Sequence, residues 1–254
     1  MKLNYYQKMD IFERGYVRIP GVVPKIMIEE ALKAINHTMG KGNVSPDYTG
    51  SNYFDQLANS PVITDLLRKS PAWSLIESLI GEGNLADYYG SQIALRFPTY
   101  EELPVKYTPH MDGILKVNEG LVENFTLLAG VLLRDVPEEN MGNFTVYPGS
   151  HQLYEKYFKE KGPDILFTDE SFSRQHYSDH VSLPDPVQIT GNAGDLIISH
   201  YQLIHEGGPN ISDQIRYATY YRVYHKDFTE DNWRSALTNL WMYLPGMQDI
   251  LDGK

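Results

Sequence analysis

The chain has 254 residues, 42% of them hydrophobic and 22% charged, with a formal net charge of −11 and no cysteine. That charge argues against nucleic acid or an anionic membrane as the main partner, because both demand basic surface. The missing thiols exclude disulfides, zinc–thiolate sites, iron–sulfur clusters and cysteine nucleophiles, so any metal must be held by imidazole and carboxylate.

The opening MKLNYYQKMD lacks a basic stretch followed by an apolar core and does not read as a signal peptide. No apolar run approaches the ~20 residues of a membrane span, and a cytoplasmic protein is expected. RGYVRIPGVV reads as a short strand and turn. Pro24 then opens PKIMIEEALKAINHTMG, whose apolar residues recur at helical spacing and whose Gly40 is the expected C-cap. SPVITDLLRKS and PAWSLIESLIGEG are two further helices, each announced by Ser-Pro, the second stopped by glycine.

From about Tyr88 the texture changes. SQIALRFP, ENFTLLAGVLLRDV, GNFTVYPGS, PVQITGNAGDLIISH and IRYATYYRVYH are short runs rich in β-branched and aromatic residues, separated by Gly, Pro, Asn and Asp. Only HQLYEKYFKEKGPDILF interrupts them, with an amphipathic helix. There is no repeat, linker or βαβ unit, and neither HEGGPN nor PGSH matches a phosphate-binding glycine loop. The pattern predicts one domain over 1–254, mainly β with helical support. Its core is a double-stranded β-helix of jelly-roll or cupin type over 88–225, with the helices of 1–87 packed on one side and 226–254 as a C-terminal extension.

The stretch HMDG carries His110 and Asp112 at i and i+2, which on a strand share a face. An imidazole nitrogen and a carboxylate oxygen side by side are two neighbouring ligands of a facial two-histidine, one-carboxylate metal site. A second such pair, His225 and Asp227, has no histidine after it to complete a set. After His110 come His200 and His205, and spacing alone leaves both open. His200 ends an apolar strand, where a hydrogen-bonded core histidine is the plainer reading, whereas His205 precedes a Gly-Gly turn where backbone can approach a ligand. His176 and His180 fall in HYSDH without the glutamate of a zinc helix and read as a solvated loop. His151 is expected in a turn or capping role.

Taken together, HMDG, GNFTVYPGSHQ and GDLIISHYQLIHEGGPN…IRYATYYR resemble the phytanoyl-CoA dioxygenase-like family of iron(II), 2-oxoglutarate-dependent oxygenases. GYVRIPGVVPKIMIEEALKAI is similar to that family's N-terminal strand and helix, so the likeness runs from about Gly15 to Arg222. The resemblance implies His110, Asp112 and His205 as iron ligands and Arg216 as the arginine that holds 2-oxoglutarate. It implies Thr126 and Gln92 as further co-substrate positions. An arginine suits that role because its planar fork grips a carboxylate bidentately, and Arg222, on the same strand face by parity, competes for it. Two features depart from the family. The hydroxyl residue many members carry two positions after the distal histidine is Gly207, and the aromatic some place near Leu128 is absent.

The implied chemistry is oxidation by O2 coupled to conversion of 2-oxoglutarate to succinate and CO2. The carboxylate of Asp112 stands where halogenating relatives leave room for chloride, which favours hydroxylation or a related oxidation such as desaturation. Two rival readings are a cupin-type metal enzyme that does not use 2-oxoglutarate and a non-catalytic binding barrel. The expected substrate is a small free metabolite and not a long-chain acyl-CoA. The acidic chain offers no evident basic cluster for phosphates, and it ends LDGK without a peroxisomal address.

Overall fold

A computed structural model describes residues 1–43, 51–53, 55–86, 91–99, 108–112, 117–118, 121–122, 124–173 and 176–253. Eleven strands occur among them: β1 Tyr16–Ile19, β2 Ser51–Tyr53, β3 Gln92–Arg96, β4 Val117–Asn118, β5 Leu121–Val122, β6 Leu127–Leu132, β7 Phe144–Val146, β8 Val187–Ile189, β9 Leu196–His200, β10 His205–Gly207 and β11 Arg216–Val223. The main sheet runs β1-β9-β6-β11-β3-β2 and a smaller one β10-β7-β8, with antiparallel pairing throughout. The architecture is the expected double-stranded β-helix with helical support.

The main sheet is buried on both faces, which explains why its strands read as nearly continuous apolar runs. Alternate residues go to opposite sides. Leu127, Ala129 and Val131 of β6, with Leu196 and Ile198 of β9, meet the helices, while Leu128, Leu132 and Ile197 face the smaller sheet. The helical layer comprises α2 (Lys25–Thr38), α3 (Pro61–Arg68) and α4 (Pro71–Ile80), preceded by α1 (Tyr5–Arg14). Ile28, Ala31 and Ile35 of α2, with Leu66, Leu75 and Leu79, form its apolar side. From the C-terminal segment, Leu244, Met247 and Ile250 pack into the same core.

The elements follow local signals. Ser60 and Ser70 precede the prolines of α3 and α4, and the Ser70 hydroxyl accepts from Ala72 N–H at 3.2 Å. Gly81 ends α4 at φ +97°. Helix α5 (Ser150–Lys161) is the predicted amphipathic interruption. Three details depart from expectation. Gly40 is not the C-cap of α2, because the chain continues through a wider turn, Met39–Asn43, with the positive φ at Gly42. Periodicity passes over α1, although Asn4 and Gln7 cap it reciprocally. The stretch read as helical support also gives β1 and β2 to the main sheet. The expected boundary at 87/88 lies outside the described residues. No helix among the described residues is long and apolar enough to cross a membrane.

Candidate metal centre

His110 and His205 meet where residues 108–112 run beside β10. Their backbones exchange two hydrogen bonds, His110 N–H to His205 O and the reverse, each 2.9 Å. One donor atom from each of His110, Asp112 and His205 lies within 4.8 Å of the other two. Asp112 Oδ1 is 3.8 Å from His110 Nε2, and Asp112 Oδ2 is 3.9 Å from His205 Nε2.

The tautomers follow from the neighbours. Nδ1 of His110 faces the Thr108 carbonyl at 3.2 Å, and Nδ1 of His205 faces the Leu203 carbonyl at 2.9 Å. A carbonyl only accepts, so both Nδ1 atoms carry hydrogen, and in the neutral rings both Nε2 atoms present a lone pair toward Asp112. Metal-binding histidines need that arrangement. Burial, reinforced by His110, pushes the His205 pKa down to about 4, which keeps its ring neutral at neutral pH.

Burial alone would raise the Asp112 pKa, but the His205, Arg222 and His110 side chains around it hold it below the ordinary carboxylate value. Arg222 is the permanent cation among them. Its Nη2 donates to Asp112 Oδ2 at 2.6 Å. The donor set therefore fits a divalent metal, with two imidazole nitrogens and one oriented carboxylate. It suits iron(II) by ligand type.

These three residues open onto a cleft of about 560 Å³, part of it continuous with solvent, lined also by Gln92, Arg96, Phe144, Arg216, Tyr220 and Arg222. Strand parity builds it: Gln92, Ala94 and Arg96 project from β3, and Arg216, Tyr220 and Arg222 from β11. Arg216 is buried, 6% exposed. Its Nε donates to Gly142 O at 2.7 Å and its Nη1 to Ala94 O at 3.1 Å, and it forms no ion pair with any described residue. A buried cation without a carboxylate partner is costly unless an anion joins it. Gly142 makes the room: at φ +77° it carries no Cβ, which would lie 2.8 Å from the Arg96 side chain and 3.2 Å from that of Arg216.

The profile of the phytanoyl-CoA dioxygenase (PhyH) family matches residues 12–218. The chain belongs to that family. No curated protein matches it by sequence. Among solved structures it is similar to HygX from Streptomyces hygroscopicus with nickel and 2-oxoglutarate bound, at 18% identity and TM-score 0.60, covering 91% of this chain and 90% of that one. It is also similar to the alpha-ketoglutarate-dependent carbocyclase SnoK from nogalamycin biosynthesis, at 22% identity and TM-score 0.54, covering 87% and 84%. The epimerase SnoN from the same biosynthesis follows at 22% and 0.60, covering 87% and 80%. These likenesses show the fold. The cofactors of the phytanoyl-CoA dioxygenase family are iron(II) and 2-oxoglutarate, and the chain's His-Asp-His set accords with them.

Of the positions carried over from the phytanoyl-CoA dioxygenase family, His110, Asp112, His205, Arg216 and Gln92 line one cleft. Thr126 does not. Its hydroxyl accepts from His225 N–H at 2.9 Å, just past the end of β11. Arg222, the rival for the co-substrate, is committed to Asp112. Sequence reasoning misses Arg96, Phe144, Glu206 and Tyr220. Parity with Gln92 and Arg216 signals Arg96 and Tyr220, but nothing signals Glu206. The buried Glu206 accepts from Tyr147 OH at 2.6 Å and from Thr108 N–H at 2.5 Å, so it steadies the segment whose carbonyl orients His110.

The ring of His225 accepts from Asp227 N–H at 3.1 Å and lies beside Tyr243. His180 corrects the solvated-loop reading: it stacks on Phe172 with centroids 4.0 Å apart and meets the Ser171 hydroxyl at 2.8 Å, while His176 is exposed. His151 is not a cap. It sits in the first turn of α5 after Gly149, fully buried, with Nε2 3.1 Å from Phe12 O.

His200 is the core histidine expected, its Nε2 donating to Leu240 O at 2.9 Å. Burial, with His151 nearby, takes the His200 pKa to about 3, and burial takes that of His151 to about 4. The unfolded chain protonates both near pH 6.5 and the folded chain resists. Their contribution to stability is therefore full above pH 6.5 and falls as pH drops toward the folded values, by about 1.4 kcal/mol per pH unit for each histidine. Urea unfolding between pH 7 and pH 4.5 should show this decline; a flat profile would contradict it.

Proposed function

We propose that the protein oxidises a small free metabolite, by hydroxylation, with His110, Asp112 and His205 holding iron(II) and Arg216 holding the far carboxylate of 2-oxoglutarate. The observation that carries this reading is the pairing, in one cleft, of two lone-pair-bearing Nε2 atoms around an ionised carboxylate with a buried arginine that has no acid partner among the described residues. Bound iron supplies the coupling of 2-oxoglutarate decarboxylation to substrate oxidation by O2. The chain's own residues do the rest. His110 and His205 present fixed tautomers, Arg222 orients Asp112, and Phe144, Leu128 and Tyr220 give the cleft apolar walls.

A small-molecule substrate agrees with the neighbours: HygX has been solved with nickel, 2-oxoglutarate and hygromycin B, and SnoN with Fe3+, alpha-ketoglutarate and nogalamycin RO. Coenzyme A carries several phosphate charges and needs a local basic cluster. The described cleft offers Arg96, Arg216 and Arg222, of which Arg216 is enclosed and Arg222 is engaged by Asp112. Most of the expected rim, PTYEELPVKYTPH and KVNEGLVEN, lies outside the described residues. The test is succinate formation with a panel of acyl-CoAs beside free amino acids, alkaloids and other small metabolites. Product-coupled turnover of a free metabolite is expected. A much higher kcat/KM for an acyl-CoA would overturn the substrate reading.

A further inference from the structure

Arg96 of β3 and Arg216 of β11 stand directly opposite each other in the antiparallel pair. Like charges at such positions repel, and a sheet normally avoids them. Here the pair is built in. Gly142 leaves space for both side chains, and Gly207 leaves space for the Arg96 head, since a Cβ there would lie 3.3 Å from its Cζ and Nη1. The head is fixed as well: Nε donates to Gly208 O at 2.9 Å and Nη2 to Gly207 O. Two guanidinium groups held by backbone carbonyls thus border the same cleft as the metal ligands, in a chain of net charge −11.

We propose that Arg96 is a second anchor for the far carboxylate of the 2-oxo acid, acting with Arg216 across the sheet; this rests on the reading of the cleft as a 2-oxoglutarate site. One carboxylate has two oxygens and accepts from two forks, so a shared anion adds an attraction to each of the two guanidinium groups. In this cleft Arg96 also occupies the place that a side chain at position 207 would fill.

The test is anaerobic binding to the iron(II)-loaded protein, measured by calorimetry for 2-oxoglutarate and separately for 2-oxobutanoate, which has the same keto-acid head and no far carboxylate. Arg96→Met should weaken 2-oxoglutarate by about ten- to hundredfold. It should leave 2-oxobutanoate and iron(II) within about twofold of wild type, because neither reaches Arg96. Arg96→Lys keeps the charge and loses the fork, so it should show a smaller, equally selective loss. Equal weakening of both acids, or loss of iron, would mean that Arg96 only braces β10, and unchanged 2-oxoglutarate binding would remove it from the site. Wild-type protein that fails to prefer 2-oxoglutarate over 2-oxobutanoate would instead sink the underlying reading, and Arg96 with it.

Discussion

Replacing any one of His110, Asp112 or His205 by alanine should take bound iron(II) from one equivalent per chain to none at micromolar metal, and abolish iron-dependent succinate formation. The site has three protein ligands, and the structure offers no fourth histidine or carboxylate clustered with them among the described residues. Asp112 carries a second consequence. Its removal leaves Arg222 beside two imidazoles without its carboxylate partner, so the cleft becomes repulsive to a cation. His225→Ala and Asp227→Ala serve as controls, since that pair is satisfied by its own turn and stands apart from the centre. Elemental analysis of the anaerobically reconstituted variants decides it. Iron lost from the control pair and retained by the first three would mean that the other His-x-Asp is the site.

Arg216→Ala should cost co-substrate affinity about 2–5 kcal/mol, a thirtyfold to several-thousandfold rise in Kd, because it removes one side of a buried charge pair. Arg216→Lys should recover little: the Nε and Nη1 bonds to Gly142 O and Ala94 O orient a planar fork that an ammonium cannot reproduce. Iron binding should survive both changes. Arg222→Ala should do the opposite, loosening iron by about ten- to hundredfold through the lost orientation of Asp112 while leaving 2-oxoglutarate affinity nearly unchanged. The reverse outcome for Arg216 and Arg222 would show that the two arginines have been given each other's roles.

Parity along strands accounts for most of what was legible in the sequence. It places Arg216, Tyr220 and Arg222 on one face of β11 and Gln92 with Arg96 on β3, whereas His110 and Asp112 lie outside the regular strands, His110 in a single bridge to His205 and Asp112 in the turn after it. Choosing His205 over His200 needed the resemblance, because both end apolar runs; the structure separates them by where the Nδ1 and Nε2 atoms find partners. Thr126 illustrates the limit. It lies next to the strand that carries Leu128 into the cleft, but local pairing turns its hydroxyl to the backbone of His225. Contacts between distant segments were not legible at all. Neither the bond from Thr108 to Glu206 nor the pairing of Arg222 with Asp112 has a local signal, since each joins residues about a hundred positions apart that only the closed sheet brings together.

The most direct test of the account is a crystal structure of the anaerobic complex with iron(II) and 2-oxoglutarate. The predicted result is iron bonded to Nε2 of His110, Nε2 of His205 and a carboxylate oxygen of Asp112, with the far carboxylate of 2-oxoglutarate on Arg216. Iron at His225 and Asp227, or that carboxylate on Arg222 with Arg216 uninvolved, would contradict it.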